Sequence, residues 1–250
     1  MRLLRNVFGY MWLLLNTVFV ASSVTVLGAL RCYKTADVLI RFWAESFLWV
    51  FGMRCAVRGM ERANGIGACV ILSTHRSNLD APCLIGRLPM VFSFVIKRAL
   101  LRVPIFGWGV QAARYVSIDR ADRADALSGM ARACDLLKTG RSVLVFPEGT
   151  RSPTEDMLPL KKGGIVLAIQ AQVPILPVAV AGTRSLMPKK HLMIHSGRAV
   201  LNVGEPIQTT GLTYEDRDQV LQRVQAAMSE LYAQANSDAS EVIGESRVAD

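Results

Sequence analysis

The sequence predicts an α/β fold, a mixed, mostly parallel twisted sheet flanked by helices and preceded by a membrane-associated segment of two N-terminal helices. Three observations predict it. Residues 6–30 carry no charge, and from Cys55 onward short apolar runs alternate with longer amphipathic ones. The hydrophobic content of 51% and the mean hydropathy of +0.30 are high for a soluble domain. We therefore expect a hydrophobic helical anchor at 1–53, an α/β domain at 54–235 and a disordered polar tail at 236–250.

The first predicted helix is the uncharged run from Asn6 to Leu30. As a helix it would extend roughly 37 Å at ~1.5 Å per residue, enough to cross the hydrocarbon core of a bilayer. A cleaved signal peptide is an alternative, because Arg2 and Arg5 precede the apolar run and small residues follow near Ala21. A buried core helix is another. We favour a retained anchor that either spans the membrane or enters and leaves it on one side, and the basic residues at both ends give no orientation.

The second predicted helix, Ala36 to Met53, is apolar except for three charged residues. Asp37, Arg41 and Glu45 are spaced four apart and therefore share one helical face. This pattern is typical of a helix that lies at the bilayer interface or under the catalytic domain.

Seven strands and five further helices are predicted downstream from the alternation of apolar and amphipathic runs. The strands are Cys55–Met60, Cys69–Ser73, Phe92–Ile96, Tyr115–Ile118, Ser142–Phe146, Ile175–Val180 and Ala199–Val203. The helices are Leu79–Arg87, Ile105–Gln111, Arg120–Thr139, Gly163–Gln170 and Tyr214–Ala235.

The net charge indicates the class of partner, and the cysteine content indicates the cellular compartment. The net charge of +9 favours anionic lipid or a phosphorylated substrate. Nucleic acid is not expected as a partner, because the basic residues are scattered rather than clustered with aromatic residues. Five cysteines without a CxxC spacing argue against a disulfide framework or a zinc ribbon and suit the reducing, cytoplasmic side of a membrane.

The first chemical motif is the pair His75 and Asp80, which follows a predicted strand. Residues five apart differ by about 140° around a regular helix, so the pair must lie on a strand-to-helix turn to share a hydrogen bond. Asp80 can then orient one ring nitrogen while the other faces a substrate, as in a catalytic triad without its serine. A histidine that merely caps or packs under the turn is the alternative.

The second motif runs from Phe146 to Ser152 and also follows a predicted strand. Gly149 permits close backbone approach or a positive φ, and Arg151 can grip a phosphate through two parallel hydrogen bonds. An ordinary turn with a solvated arginine is the alternative. Together the two motifs predict an enzyme that acts on a phosphorylated alcohol.

These residues resemble the glycerolipid acyltransferase family, specifically its 1-acylglycerol-3-phosphate acyltransferases. Four family blocks occur in order between about 73 and 180. A histidine and an aspartate separated by four residues match His75 and Asp80, and an arginine after an apolar run matches Arg120. The third block, Phe-Pro-Glu-Gly-Thr-Arg-Ser, is matched letter for letter at 146–152, and an apolar run bracketed by prolines matches 173–178. The chain departs from the family at Thr74, where asparagine is common, and near Arg114, which adds a cation.

The resemblance implies roles for the site residues. His75, oriented by Asp80, would take the proton from the acceptor hydroxyl as that hydroxyl attacks an acyl thioester, from acyl-CoA or acyl-carrier protein. Glu148, Gly149 and Thr150 would position the acceptor, although Glu148 equally suits locking an arginine in place. No metal or redox cofactor is implied. The residues expected to bind the substrate phosphate are Arg120, Arg151, Lys161 and Lys162.

The product would be phosphatidic acid, formed from lysophosphatidic acid at the cytoplasmic side of the membrane, the inner membrane if the source is bacterial. A second acceptor, such as lyso-ornithine lipid, is the alternative within the same chemistry. A lipase-like hydrolase would need a serine nucleophile in a G-x-S-x-G elbow, which the sequence lacks. A non-catalytic lipid-binding module would leave His75 and Asp80 without a role.

Overall fold

The structure is a computed structural model that describes residues 2–119 and 121–248, with side chains described for 3–119 and 121–239. Its helices and strands follow one another in the alternation that the sequence predicts. The helices are α1 (Arg2–Ala29), α2 (Tyr33–Val50), α3 (Asp80–Arg87), α4 (Phe106–Ala112), α5 (Arg123–Lys138), α6 (Gly163–Ala171), α7 (Thr183–Leu186) and α8 (Arg217–Val248). The strands are β1 (Met53–Arg58), β2 (Val70–Ser73), β3 (Phe92–Lys97), β4 (Val116–Ile118), β5 (Ser142–Val145), β6 (Ile175–Ala181) and β7 (Gly197–Val203).

The strands form one sheet in the order β1-β7-β6-β2-β5-β3-β4. Every neighbouring pair is parallel except β6 and β7, which are antiparallel. The predicted fold class, a mixed and mostly parallel sheet flanked by helices, is therefore confirmed. Each predicted strand coincides with an observed one, because central strands such as β2 and β6 are buried along their whole length and appear in the sequence as continuous apolar runs.

Both faces of the sheet are covered by helices. Val70 and Leu72 of β2 point into a core with α5, α6 and α8, whereas Ile71 points into the opposite core, next to α3. This alternation follows from the two-residue period of a strand. With both faces covered, the edge at the carboxyl ends of the parallel strands remains as the place where side chains from several strands can meet.

The first N-terminal helix exposes a broad apolar surface. Within the described residues, one helix, from Leu3 to Ala29, is long and apolar enough to cross a membrane by length and composition. Only 22% of its most apolar window is buried, so α1 is not a core helix. The large apolar side chains exposed on this outer face of α1 are Leu3, Leu4, Val7, Phe8, Met11, Trp12, Leu14, Leu15, Val18, Phe19 and Val26.

The charged face of α2 is directed toward the α/β domain. Asp37 accepts two hydrogen bonds of 2.8 Å from Arg141, the residue before β5. Arg41 donates to backbone carbonyls at the end of α3, and Glu45 pairs with Arg87 at 2.5 Å. Of the two positions predicted for this helix, the charged face therefore matches the one under the catalytic domain.

The C-terminal region differs from the sequence prediction. The tail expected to be disordered from 236 instead continues α8 to Val248, while Ala249 and Asp250 lie outside the described residues. No proline interrupts this region, and Ala239 is buried in a small core with β6 and β7. The helix therefore still packs against the sheet beyond the predicted boundary at 235.

Candidate active site

The site is built on the turn between β2 and α3. His75 Nδ1 lies 2.9 Å from Asp80 Oδ2, so the predicted pair does share a hydrogen bond. The Asp80 side chain is fully buried, whereas 19% of the His75 side chain is exposed. With Nδ1 donating to Asp80, Nε2 is the nitrogen that can accept a proton from a substrate. This geometry is that of a base with its orienting carboxylate.

Asp80 is held in place by its own turn and by a distant residue. Its Oδ2 also accepts from the backbone N–H groups of Arg76 at 2.7 Å and Ser77 at 2.9 Å. Its Oδ1 accepts from the hydroxyl of Thr183, at 2.5 Å. These bonds satisfy two backbone donors of the turn before α3, and Asp80, as the first residue of α3, also suits the positive end of the helix dipole. Thr183 was not predicted, because it lies about a hundred residues away in the sequence.

The two sequence motifs meet because β2 and β5 are parallel neighbours. The His75 ring stacks on the Phe146 ring, with the ring centroids 3.9 Å apart and the planes inclined by 14°. The Ser152 N–H donates to the His75 carbonyl at 3.0 Å and ties the second motif to the first. Gly149 has a φ of +75°, one of the two conformations that glycine was expected to permit in this turn.

Glu148 holds an arginine rather than facing the cavity. Its carboxylate accepts from Arg76 Nη1 at 2.7 and 2.8 Å, and from the backbone N–H groups of His75 and Leu158. The Arg76 and Glu148 side chains are at most 1% exposed. Burial is the largest single effect and lowers the pKa of the Arg76 guanidinium, but the interactions with Glu148 and Tyr232 together outweigh it, so the pKa is raised. Of the two roles expected for Glu148, the geometry favours locking an arginine.

A cavity of about 910 Å³ opens at His75. One part of its wall is polar and includes Asn78, Lys97 and Asp119 beside the histidine. The rest is apolar and is contributed largely by α1, α2 and α4. The apolar lining residues of these three helices include Val20, Ala21, Val24, Ile40, Trp43, Phe106 and Val110. A polar end beside an apolar arm suits an amphiphilic ligand.

The structure brings together only some of the predicted site residues. Gly149, Thr150 and Arg151 line the cavity with His75, whereas Lys161 and Lys162 are not among its described lining residues. Lys162 instead pairs with Asp218 of α8 at 2.6 Å. The predicted phosphate ligand Arg120 lies outside the described residues.

Two further cations, Lys97 and Arg114, differ in whether they line the cavity. Lys97, at the end of β3, lines the cavity and adds a positive charge to its polar end. Arg114, the residue by which the chain departs from the family pattern, is not a described lining residue. Its guanidinium carbon lies 5.0 Å from the centroid of the Tyr33 ring at the start of α2. The extra cation therefore contacts the N-terminal helices and not the cavity.

Comparison with known proteins gives consistent matches. Residues 54–181 match the family model described as Acyltransferase. Human 1-acyl-sn-glycerol-3-phosphate acyltransferase alpha is 33% identical over 201 residues, covering 80% of this chain and 71% of the human protein. The 1-acyl-sn-glycerol-3-phosphate acyltransferase of Pseudomonas aeruginosa is 34% identical over 201 residues, covering 78% and 77%. The crystal structure of the 1-acyl-sn-glycerophosphate (LPA) acyltransferase of Thermotoga maritima superposes with a TM-score of 0.80 and 25% identity, covering 93% and 95% of the two chains.

Proposed function

The chain belongs to the acyltransferase family, as its motifs predicted, and we propose that it acylates the free sn-2 hydroxyl of 1-acyl-glycerol-3-phosphate to form phosphatidic acid. The observation that carries this proposal is the His75–Asp80 pair at a cavity that is lined by two cations, Arg151 and Lys97, and by apolar side chains of α1, α2 and α4. Human and bacterial relatives are named for this activity.

His75 acts as the general base. With Nδ1 donating to Asp80, Nε2 accepts the proton from the sn-2 hydroxyl as its oxygen attacks the thioester carbonyl carbon. The tetrahedral intermediate then collapses, the carbon–sulfur bond breaks, and the imidazolium returns the proton to the departing thiolate. A positioned base contributes on the order of 10²–10⁴-fold to such a step.

The acceptor phosphate binds at the polar end of the cavity. Arg151 and Lys97 both line it, and a guanidinium suits a phosphate through two parallel hydrogen bonds. Arg120 joins them on the strength of the family motif alone. Lys161 and Lys162 have less support, because neither is a described lining residue and Lys162 is engaged by Asp218.

The apolar arm holds an acyl chain. Burial of each methylene group there contributes about 0.8 kcal/mol. The acyl donor is acyl-CoA or acyl-carrier protein, and the chemistry needs no metal or redox cofactor. The enzyme attaches to the membrane through the exposed outer face of α1, with the site on the cytoplasmic side, where these donors occur and where the cysteines, all free in the structure, remain reduced.

Acceptor preference tests the proposal. Purified protein in phospholipid vesicles would receive radiolabelled oleoyl-CoA with either lysophosphatidic acid or monoacylglycerol, which lacks the phosphate. We expect strong preference for lysophosphatidic acid, and a loss of about 10- to 100-fold in kcat/KM for that acceptor in Arg151→Ala, because one charge-assisted phosphate contact is removed.

Arg223→Ala, which removes an exposed arginine of α8, is the matched control and should keep the parent's kcat/KM. Equal use of both acceptors by the parent, or acylation only of a lysolipid without a phosphomonoester, such as lyso-ornithine lipid, would overturn the proposed acceptor while leaving the acyl transfer chemistry intact.

A further inference from the structure

We propose that Thr183 is a positioning residue of the catalytic pair, whose hydroxyl fixes the Asp80 carboxylate so that His75 is held with its proton on Nδ1. Thr183 lies outside the four sequence blocks, in an element that the sequence did not predict. This inference rests on the proposed function, in which His75 Nε2 must be free of a proton to act as the base.

The contact between Thr183 and Asp80 is fully buried. Thr183 and Asp80 both have no exposed surface, and Thr183 Oγ1 lies 2.5 Å from Asp80 Oδ1. The threonine is the first residue of α7, directly after β6, the strand that pairs with β2. Gly182, with a φ of +81°, makes the turn between β6 and α7. A buried hydroxyl donating to a carboxylate forms a strong, short bond.

The two carboxylate oxygens of Asp80 have different donors, and Thr183 is the described donor to Oδ1. Three donors converge on Oδ2, from His75 and from the backbone of Arg76 and Ser77. In the described part of the chain, the hydrogen bond assigned to Oδ1 comes from Thr183. Without that hydroxyl, Oδ1 is a buried charged oxygen with no described donor, and the carboxylate gains by turning or shifting to find one. Either movement weakens its bond to Nδ1.

The turn that carries His75 is attached to the α7 region at a second point. The Ser77 hydroxyl donates to the Met187 carbonyl at 2.8 Å, just beyond α7. The Met187 N–H in turn donates to the Thr183 carbonyl at 3.0 Å. The segment 183–187 therefore forms a fixed support under the catalytic turn, and Thr183 is its contact with the reacting pair.

The variants Thr183→Val and Thr183→Ser distinguish the effect of the hydroxyl group from the effect of side-chain packing. Valine keeps the shape and loses the donor, whereas serine keeps the donor and loses a methyl group. We expect kcat of Thr183→Val to fall about 10- to 100-fold, as for loss of a hydrogen bond to a buried charged group, with KM for lysophosphatidic acid within about twofold of the parent. Thr183→Ser should recover most of the lost kcat.

A spectroscopic readout makes the test independent of the substrate. Nitrogen-15 labelling of histidine reports which ring nitrogen carries the proton, and His75→Ala assigns the His75 signals among the three histidines. At a pH where the ring is neutral, the parent and Thr183→Ser should show the proton on Nδ1. Thr183→Val should show a mixture with the Nε2-protonated form.

Two results would overturn the inference. One is a Thr183→Val protein with the parent's kcat and the parent's single tautomer. The other is equal impairment of the valine and serine variants, which would assign the effect to packing. If the parent fails to acylate lysophosphatidic acid but the tautomer of Thr183→Val shifts as expected, the proposed acceptor is wrong and the role of Thr183 stands.

Discussion

At the scale of single residues, Glu148 of the family motif at 146–152 has a structural role. Its carboxylate binds the buried guanidinium of Arg76 and the backbone N–H of His75, so it fixes the turn that carries His75. Arg76 also lies over the Tyr232 ring, 4.5 Å from its centroid, which links the turn to α8. The glutamate of this motif therefore stabilises the turn that carries His75.

We predict that Glu148→Gln lowers the free energy of unfolding by about 3–5 kcal/mol, because it leaves the charge of Arg76 buried and uncompensated. Chemical denaturation of the detergent-solubilised protein measures the change. Glu205→Gln, at an exposed ion pair with Arg62, is the matched control and should cost at most about 1 kcal/mol. Equal effects of the two substitutions would show that the Arg76–Glu148 pair contributes no more than a surface pair.

The sequence pointed to several residues that the structure places at the cavity or at its hydrogen-bonded pair, but not to the residue that supports them. His75, Asp80, Gly149 and Arg151 stand in motifs whose spacing has a chemical reason. Thr183 gave no such signal, because its contact with Asp80 exists only once the chain has brought β6 next to β2. A contact between residues that are far apart in the chain produces no periodic pattern in a single sequence.

At the scale of elements, α2 packs against the α/β domain through its charged face. Asp37 and Arg141 form the best-buried of its ion pairs, with side chains 17% and 9% exposed. Arg141 also donates to the Ser93 hydroxyl at 2.7 Å, so the contact reaches the start of both β5 and β3. The three charged residues of this otherwise apolar helix therefore attach it to the α/β domain.

We predict that Asp37→Asn lowers the free energy of unfolding by about 2 kcal/mol, since Arg141 then keeps its burial but loses its counter-charge. Hydrogen exchange should show reduced protection of α2 amides and little change in β2. Asp135→Asn, at an exposed pair with Lys138, is the control and should leave both segments as in the parent. Unchanged exchange in α2 would mean that its apolar contacts hold it without the ion pair.

The strands and long helices were predictable because their apolar periods are set by burial on one or both faces. The four-residue α7 is too short to produce such a period. The boundary of α8 was missed for a different reason, because the contact of Ala239 with the sheet outweighs the polar composition around it. The first miss therefore reflects the length of the element, and the second reflects tertiary packing that overrides the local pattern.

At the scale of the whole molecule, α1 and His75 line the same cavity. Val20, Ala21 and Val24 of α1 line the apolar arm, while the outer face of the same helix is exposed. We propose that a lipid acceptor reaches His75 from the membrane along this helix, with its phosphate at Arg151 and its acyl chain in the apolar arm. The positive net charge of +9 adds attraction to an anionic bilayer.

The most direct test of this account is the rate of acyl transfer from oleoyl-CoA to lysophosphatidic acid in vesicles, measured for the parent, His75→Ala and His191→Ala. His191 is an exposed histidine outside the described cavity lining and serves as the matched control. We predict that His75→Ala loses at least about 100-fold in kcat, the contribution of a general base, and that His191→Ala keeps the parent's rate. Equal rates in the parent and His75→Ala would contradict the assignment of His75 as the base.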